Sequence, residues 1–199
     1  MKKKNVLIGG ALLAAGAVVM WNTRRTIPKR AVAVAPFDVD LFLGKWYEMA
    51  RLDHRFERTK RNNTITYSRN ADGSIRVVNR GYDYSKRKRV INIGKAKFVG
   101  SAEEAKMKIS YFKLLSFGYN VIAIDPEYKY ALVAGEDLHH LWLLSREPDI
   151  PEEIKQAFLR KALIIGYDIT KLVWVEHSQL MGGQYLSDEE YTQIDQDLV

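Results

Sequence analysis

Between Gly44 and Arg146 the chain reads as a succession of short strand-forming runs with no helix between them. Apolar, β-branched and aromatic residues concentrate at about 44–51, 63–69, 75–82, 89–99, 105–112, 118–124, 130–135 and 140–146. The gaps carry turn chemistry. Asn70-Ala71-Asp72-Gly73 suits a hairpin, and Gly100-Ser101-Ala102-Glu103-Glu104 and Asp125-Pro126-Glu127 mark further reversals. Eight strands at this spacing predict an all-β fold, an antiparallel up-and-down barrel or a sandwich. One helix follows. Pro148 and Asp149 precede Pro151-Glu152-Glu153, and Ile154, Ala157, Phe158, Ala162 and Ile165 recur on one face before Gly166. Such a helix must cover something, most simply the outside of the barrel. Lys171 to Glu176 reads as a last strand.

The flanks explain the charge. Seven of the 31 lysines and arginines lie in residues 1–30, which hold no acid. The remainder therefore carries 24 basic against 24 acidic side chains, a balance that argues against nucleic acid as a partner. Residues 5–23 are uncharged and mostly apolar; as a helix they reach about 28 Å, close to the thickness of a bilayer core. They predict an uncleaved membrane anchor, with a removed signal peptide as the alternative, and either sends the domain to the cell envelope. Residues 24–36 read as a basic, proline-containing linker, 37–180 as the barrel domain and 181–199 as an acidic, disordered tail. The chain has no cysteine, so disulfides, thiolate metal sites and an acylated-cysteine anchor are excluded.

Three segments align in order: Gly44-Lys45-Trp46-Tyr47-Glu48, then Gly118-Tyr119-Asn120-Val121-Ile122-Ala123-Ile124-Asp125-Pro126-Glu127-Tyr128, then Leu141-Trp142-Leu143-Leu144-Ser145-Arg146. Together they resemble the three shared regions of lipocalins, and WYEMARLDHRFER, GYNVIAID and LWLLSREP resemble the bacterial lipocalin group, relatives of apolipoprotein D. The resemblance spans residues 37–177 and implies an eight-stranded lipocalin barrel with the helix after it. It also implies that Arg146 packs across Trp46 at the closed end, where Gly44 permits close approach, and bonds nearby carbonyls. A guanidinium over an indole gains ~0.5–2 kcal/mol, so this is a structural floor rather than a catalytic centre.

Strand alternation then orders the interior. With Trp46 inward, Glu48 and Ala50 follow; with Arg146 inward, Leu144, Trp142 and His140 follow, leaving Leu141 and Leu143 to meet the helix. Val77 and Asn79, and Met107, Ile109 and Tyr111, complete a mainly apolar ligand-binding interior. The loops opposite the floor hold Arg55, Arg58, Lys86, Arg87 and Lys88, a basic rim suited to an anionic head group or to anionic lipid.

The expected function is reversible binding or carriage of fatty acids or lysophospholipids for membrane maintenance or stress, without catalysis, cofactor or metal. The expected partners are a lipid or other small hydrophobic ligand and a membrane, with a homodimer left open. His54, His139 and His140 share the mouth but lack a recognised ligand spacing. Two rival readings are a lipocalin-fold enzyme using Glu48 as acid or base, and a filled barrel that binds protein at its mouth. The family's prostaglandin-isomerising member relies on a pocket cysteine, which this chain lacks. Relatives anchored through an acylated cysteine cannot be copied either, which makes the outer membrane the less favoured site.

Overall fold

The computed structural model describes residues 25–52, 60–83, 85–112, 115–175 and 177. The anchor stretch, the acidic tail, His54, Arg55 and Arg58 lie outside these residues. A short helix α1 (Val39–Phe42) precedes β1 (Gly44–Leu52), β2 (Lys60–Arg69), β3 (Ile75–Asp83) and β4 (Lys88–Phe98). Then come β5 (Lys106–Phe112), β6 (Leu115–Ile124), β7 (Tyr130–Ala134), β8 (Leu141–Ser145), helix α2 (Glu152–Ile165), a 3-10 turn (Ile169–Lys171) and β9 (Leu172–Trp174).

Every strand from β2 to β8 pairs antiparallel with its chain neighbour, β8 pairs with β1, and β1 returns to β2 over Gly44–Tyr47. The ring closes. That decides for the barrel over the sandwich, and the expected eight strands are all present. The hairpin at Asn70 forms as its residues dictate: Gly73 adopts φ +78° and donates to the Asn70 carbonyl at 3.0 Å. At the floor, the Asp125 side chain accepts from the Lys129 amide at 2.7 Å and the Glu127 amide at 3.0 Å, a turn-fixing role.

Two apolar clusters divide along the barrel wall. The inner one joins Trp46, Ile65, Tyr67, Ile75, Val77, Ala96, Met107, Ile109, Tyr119, Val121, Val133 and Leu144. The outer one seats Phe158, Ala162 and Ile165 of α2 on Leu141, Leu143, Ile122 and Leu132, as alternation in β8 requires. Burying a large apolar side chain contributes roughly 1.5–3 kcal/mol, so this stripe holds the helix down. Ala157 departs from expectation: it is exposed, because the buried stripe runs through 154, 158, 162 and 165 and leaves 157 at its margin. Gly166 ends the helix at φ +112° and donates to the Ala162 and Leu163 carbonyls.

The segment read as a linker is part of the fold. Thr26, Ala31 and Ala33 are buried, and Ala31 belongs to the outer cluster. Val34 donates to the Val121 carbonyl and accepts from the Ala105 amide, both at 2.9 Å, and Phe37 donates to Glu103 at 2.8 Å. The alanines and valines of 31–35, which look like spacer, are small enough to lie flat on the wall; we call residues 25–37 the strap.

Candidate ligand-binding site

The closed end is built from carbonyls that α1 and the start of β1 leave without partners. Arg146 donates to the carbonyls of Lys45, Leu41 and Leu43, each at 2.8 Å, and its guanidinium carbon lies 3.9 Å from the centre of the Trp46 ring. Trp46 is fully buried and its indole N–H donates to the Phe42 carbonyl at 2.8 Å. Gly44, at φ +96°, is required here: a Cβ would stand 3.2 Å from an Arg146 nitrogen. The floor expected from sequence is therefore in place.

Above it the lower half is filled. Val77, Met107, Ile109 and Leu144 all point inward as expected, but at 1%, 2%, 4% and 0% exposure they are packed core. The Tyr67 and Tyr119 hydroxyls meet across the barrel, and burial raises the pKa of each above the ordinary phenol value, keeping both protonated.

The upper half is different. Asn79 donates to the Tyr111 hydroxyl at 2.6 Å, and Trp142 lies 5.6 Å from the Tyr119 ring and 6.0 Å from His140. Asn79, Tyr111 and Trp142 are all only partly buried. Phe117, in register with the inward-facing Ile109, is 43% exposed nearer the mouth. An amphipathic layer thus sits over a filled floor.

Ala50 is a correction. A bulge in β1 lets Glu48 face Leu144 while Ala50 faces Leu143, so Met49 and Ala50 both turn out to the helix side. The same slip turns Arg51 inward, where it is 0% exposed and donates to Glu48 Oε1 at 2.6 Å. Asn63 Nδ2 reaches the same oxygen at 3.1 Å, next to a second bulge at Asn62 (φ +53°). Strict alternation missed Arg51 and Asn63. The available signal was an oppositely charged pair three apart, around two consecutive apolar residues, inside a strand.

At the rim, Lys86, Arg87 and Lys88 are exposed at the β3–β4 turn. Buried Asp83 fixes that turn by accepting from the Ser85 and Lys86 amides at 3.0 and 3.2 Å. His140 bonds Asp137 at 2.8 Å, and no group of three metal-ligating side chains occurs among the described residues.

Residues 37–177 match the sequence model of the lipocalin-like domain. The chain belongs to the lipocalin-like family. Over 166 residues it is 43% identical to the outer membrane lipoprotein Blc of Escherichia coli (strain K12), covering 83% of this chain and 94% of that protein. Apolipoprotein D of Mus musculus is 31% identical over 153 residues, 71% of this chain and 78% of that one. Among solved structures, insecticyanin from the tobacco hornworm Manduca sexta superposes with a TM-score of 0.62 at 18% identity, over 78% of this chain and 88% of its own. That last likeness speaks for the fold alone. All of the strap but Phe37 lies upstream of the matched lipocalin domain yet packs on it.

Proposed function

We propose that this lipocalin binds and carries lipid at a bacterial cell envelope, taking fatty acids or lysophospholipids into the upper half of its barrel. The observation that carries this reading is the partly exposed layer of Asn79, Tyr111 and Trp142 above a filled floor and beneath a basic rim. An acyl chain against Trp142 and Tyr111 gains ~0.8 kcal/mol for each methylene removed from water. Lys86, Arg87 and Lys88, with Arg55 and Arg58 of the β1–β2 connection, supply charge for the head group. The name of Blc, an outer membrane lipoprotein, supports an envelope setting. This chain has no cysteine to acylate, so residues 5–23 serve as its attachment to the membrane. Catalysis by Glu48 is disfavoured by its engagement with Arg51 and Asn63, which holds the carboxylate in a buried ion pair.

Displacement of a fluorescent fatty-acid probe tests the reading. Changing Lys86, Arg87 and Lys88 together to Gln is expected to weaken oleate binding about five- to tenfold, on the order of 1 kcal/mol for rim charges. The corresponding fatty alcohol should be little affected. Equal affinities for oleate before and after the change would remove the rim from the site, and failure of either ligand to displace probe would remove lipid carriage.

A further inference from the structure

The strap has a direction. At its start, the Thr26 carbonyl accepts from Asn120 Nδ2 at 2.6 Å, and the same fully buried amide donates to the Ala134 and Gly135 carbonyls at 3.3 and 3.2 Å. Gly118 leaves room for this approach, since a Cβ there would fall 2.0 Å from the Thr26 oxygen. Gly135 and Glu136 open the β7–β8 loop, one of the loops at the mouth. From there the strap descends through Ala31 and Val34 to Phe37, which joins the inner cluster at the floor. The chain therefore reaches the barrel at its mouth side.

Only a short tether remains. The uncharged stretch ends at Thr23, three residues before Thr26, and an extended chain spans at most ~3.3–3.6 Å per residue, about 10 Å in all. On the reading that residues 5–23 lie in a bilayer, the β7–β8 side of the mouth is held at the head groups, while the floor is held away.

That side also carries exposed apolar residues. Leu138 in the β7–β8 loop is 40% exposed, and in the last turns of α2 Leu163 is 53% and Ile164 76% exposed. They share one place in the fold: Leu138 Cδ1 lies 3.5 Å from a Cβ position on Gly166, and the Tyr167 hydroxyl donates to the Asp137 and His140 carbonyls at 3.3 Å. Arg25 and Lys29, both exposed at the start of the strap, add positive charge suited to anionic head groups.

We propose that the barrel docks mouth-first on the bilayer that holds its N-terminal segment, with Leu138, Leu163 and Ile164 entering the head-group region beside the strap. Ligand then passes between bilayer and barrel at the membrane surface rather than through bulk water. Because the chain is free of cysteine, single cysteines report orientation without background.

Leu138→Cys, Ile164→Cys and, at the floor, Glu127→Cys are labelled with an environment-sensitive dye. The full chain is then reconstituted into vesicles of phosphatidylethanolamine and phosphatidylglycerol. Dyes at 138 and 164 are expected to shift to the blue and to be quenched several-fold more by a lipid-borne quencher than the dye at 127. Equal quenching at all three, or stronger quenching at 127, overturns the orientation while leaving the membrane anchor intact. Release of the full chain from the vesicles by a high-salt, high-pH wash overturns the anchor itself, and the inference with it.

Discussion

Arg51 carries its charge into the barrel wall at 0% exposure, answered by Glu48 at 2.6 Å and flanked by Asn63. The pair is costly to half-remove and cheap to remove whole. Arg51→Met alone is expected to destabilise by about 3–5 kcal/mol, because Glu48 is left as a buried charge. Adding Glu48→Leu should restore most of that loss, and urea midpoints of the two variants measure the difference; equal midpoints would mean that the two side chains do not act together. Gly44 presents a backbone constraint instead. At φ +96° and beneath Arg146, Gly44→Ala should cost about 1–3 kcal/mol in the same measurement. Gly44, Trp46 and Arg146 were legible from sequence through the resemblance to lipocalins, which implies that the arginine packs across the tryptophan ring. Arg51 was not, because its facing depends on an inserted residue that alternation does not register.

Two appended elements complete the barrel wall, the strap and the C-terminal strand. Gly118→Ala would place a Cβ against the Thr26 carbonyl, so the strap must lift. Trypsin is then expected to cut after Arg25, Lys29 or Arg30 about tenfold faster, the equivalent of roughly 1.4 kcal/mol in the opening equilibrium. Unchanged cleavage would show that the strap is held elsewhere. At the other end, β9 pairs with Ala50–Leu52, Val175 donates to the Met49 carbonyl at 2.9 Å, and His177 Nε2 donates to the Glu48 carbonyl at 2.8 Å. Burial lowers the His177 pKa below its ordinary value. The unfolded chain takes up this proton near pH 6.5 and the folded chain only at lower pH. Stability from this group is therefore complete above pH 6.5, falls as pH drops toward the folded value, and is level below it. His177→Gln should shrink the loss of urea midpoint between about pH 7.5 and about pH 5, relative to the unmodified protein. An identical loss in both would assign the pH dependence to other groups.

For the molecule as a whole, the barrel divides into a filled floor and a partly exposed upper layer, which on the proposed function is the part a ligand touches. Among the described residues, Trp46 is sealed under Arg146, Trp174 lies on the outside, and Trp142 stands in the upper layer. Binding of an acyl ligand is therefore expected to change intrinsic fluorescence through Trp142. Trp142→Phe should abolish that change and Trp174→Phe should keep it, and a response surviving Trp142→Phe would place the ligand elsewhere. By itself the sequence determined the eight strands, their turns, the covering helix and the Trp46–Arg146 floor. The strands, turns and helix follow from period-two alternation, turn chemistry and helical spacing, which act over a few residues, and the floor follows from the resemblance to lipocalins. Only the tertiary structure decided that Ala50 faces out and Arg51 in, that residues 25–36 are wall rather than linker, and that Val77, Met107, Ile109 and Leu144 are filled core. The physical reason is common to all three. A bulge changes the phase of a strand, a strap takes its partners from residues some ninety positions away, and packing depends on which side chains meet across the barrel.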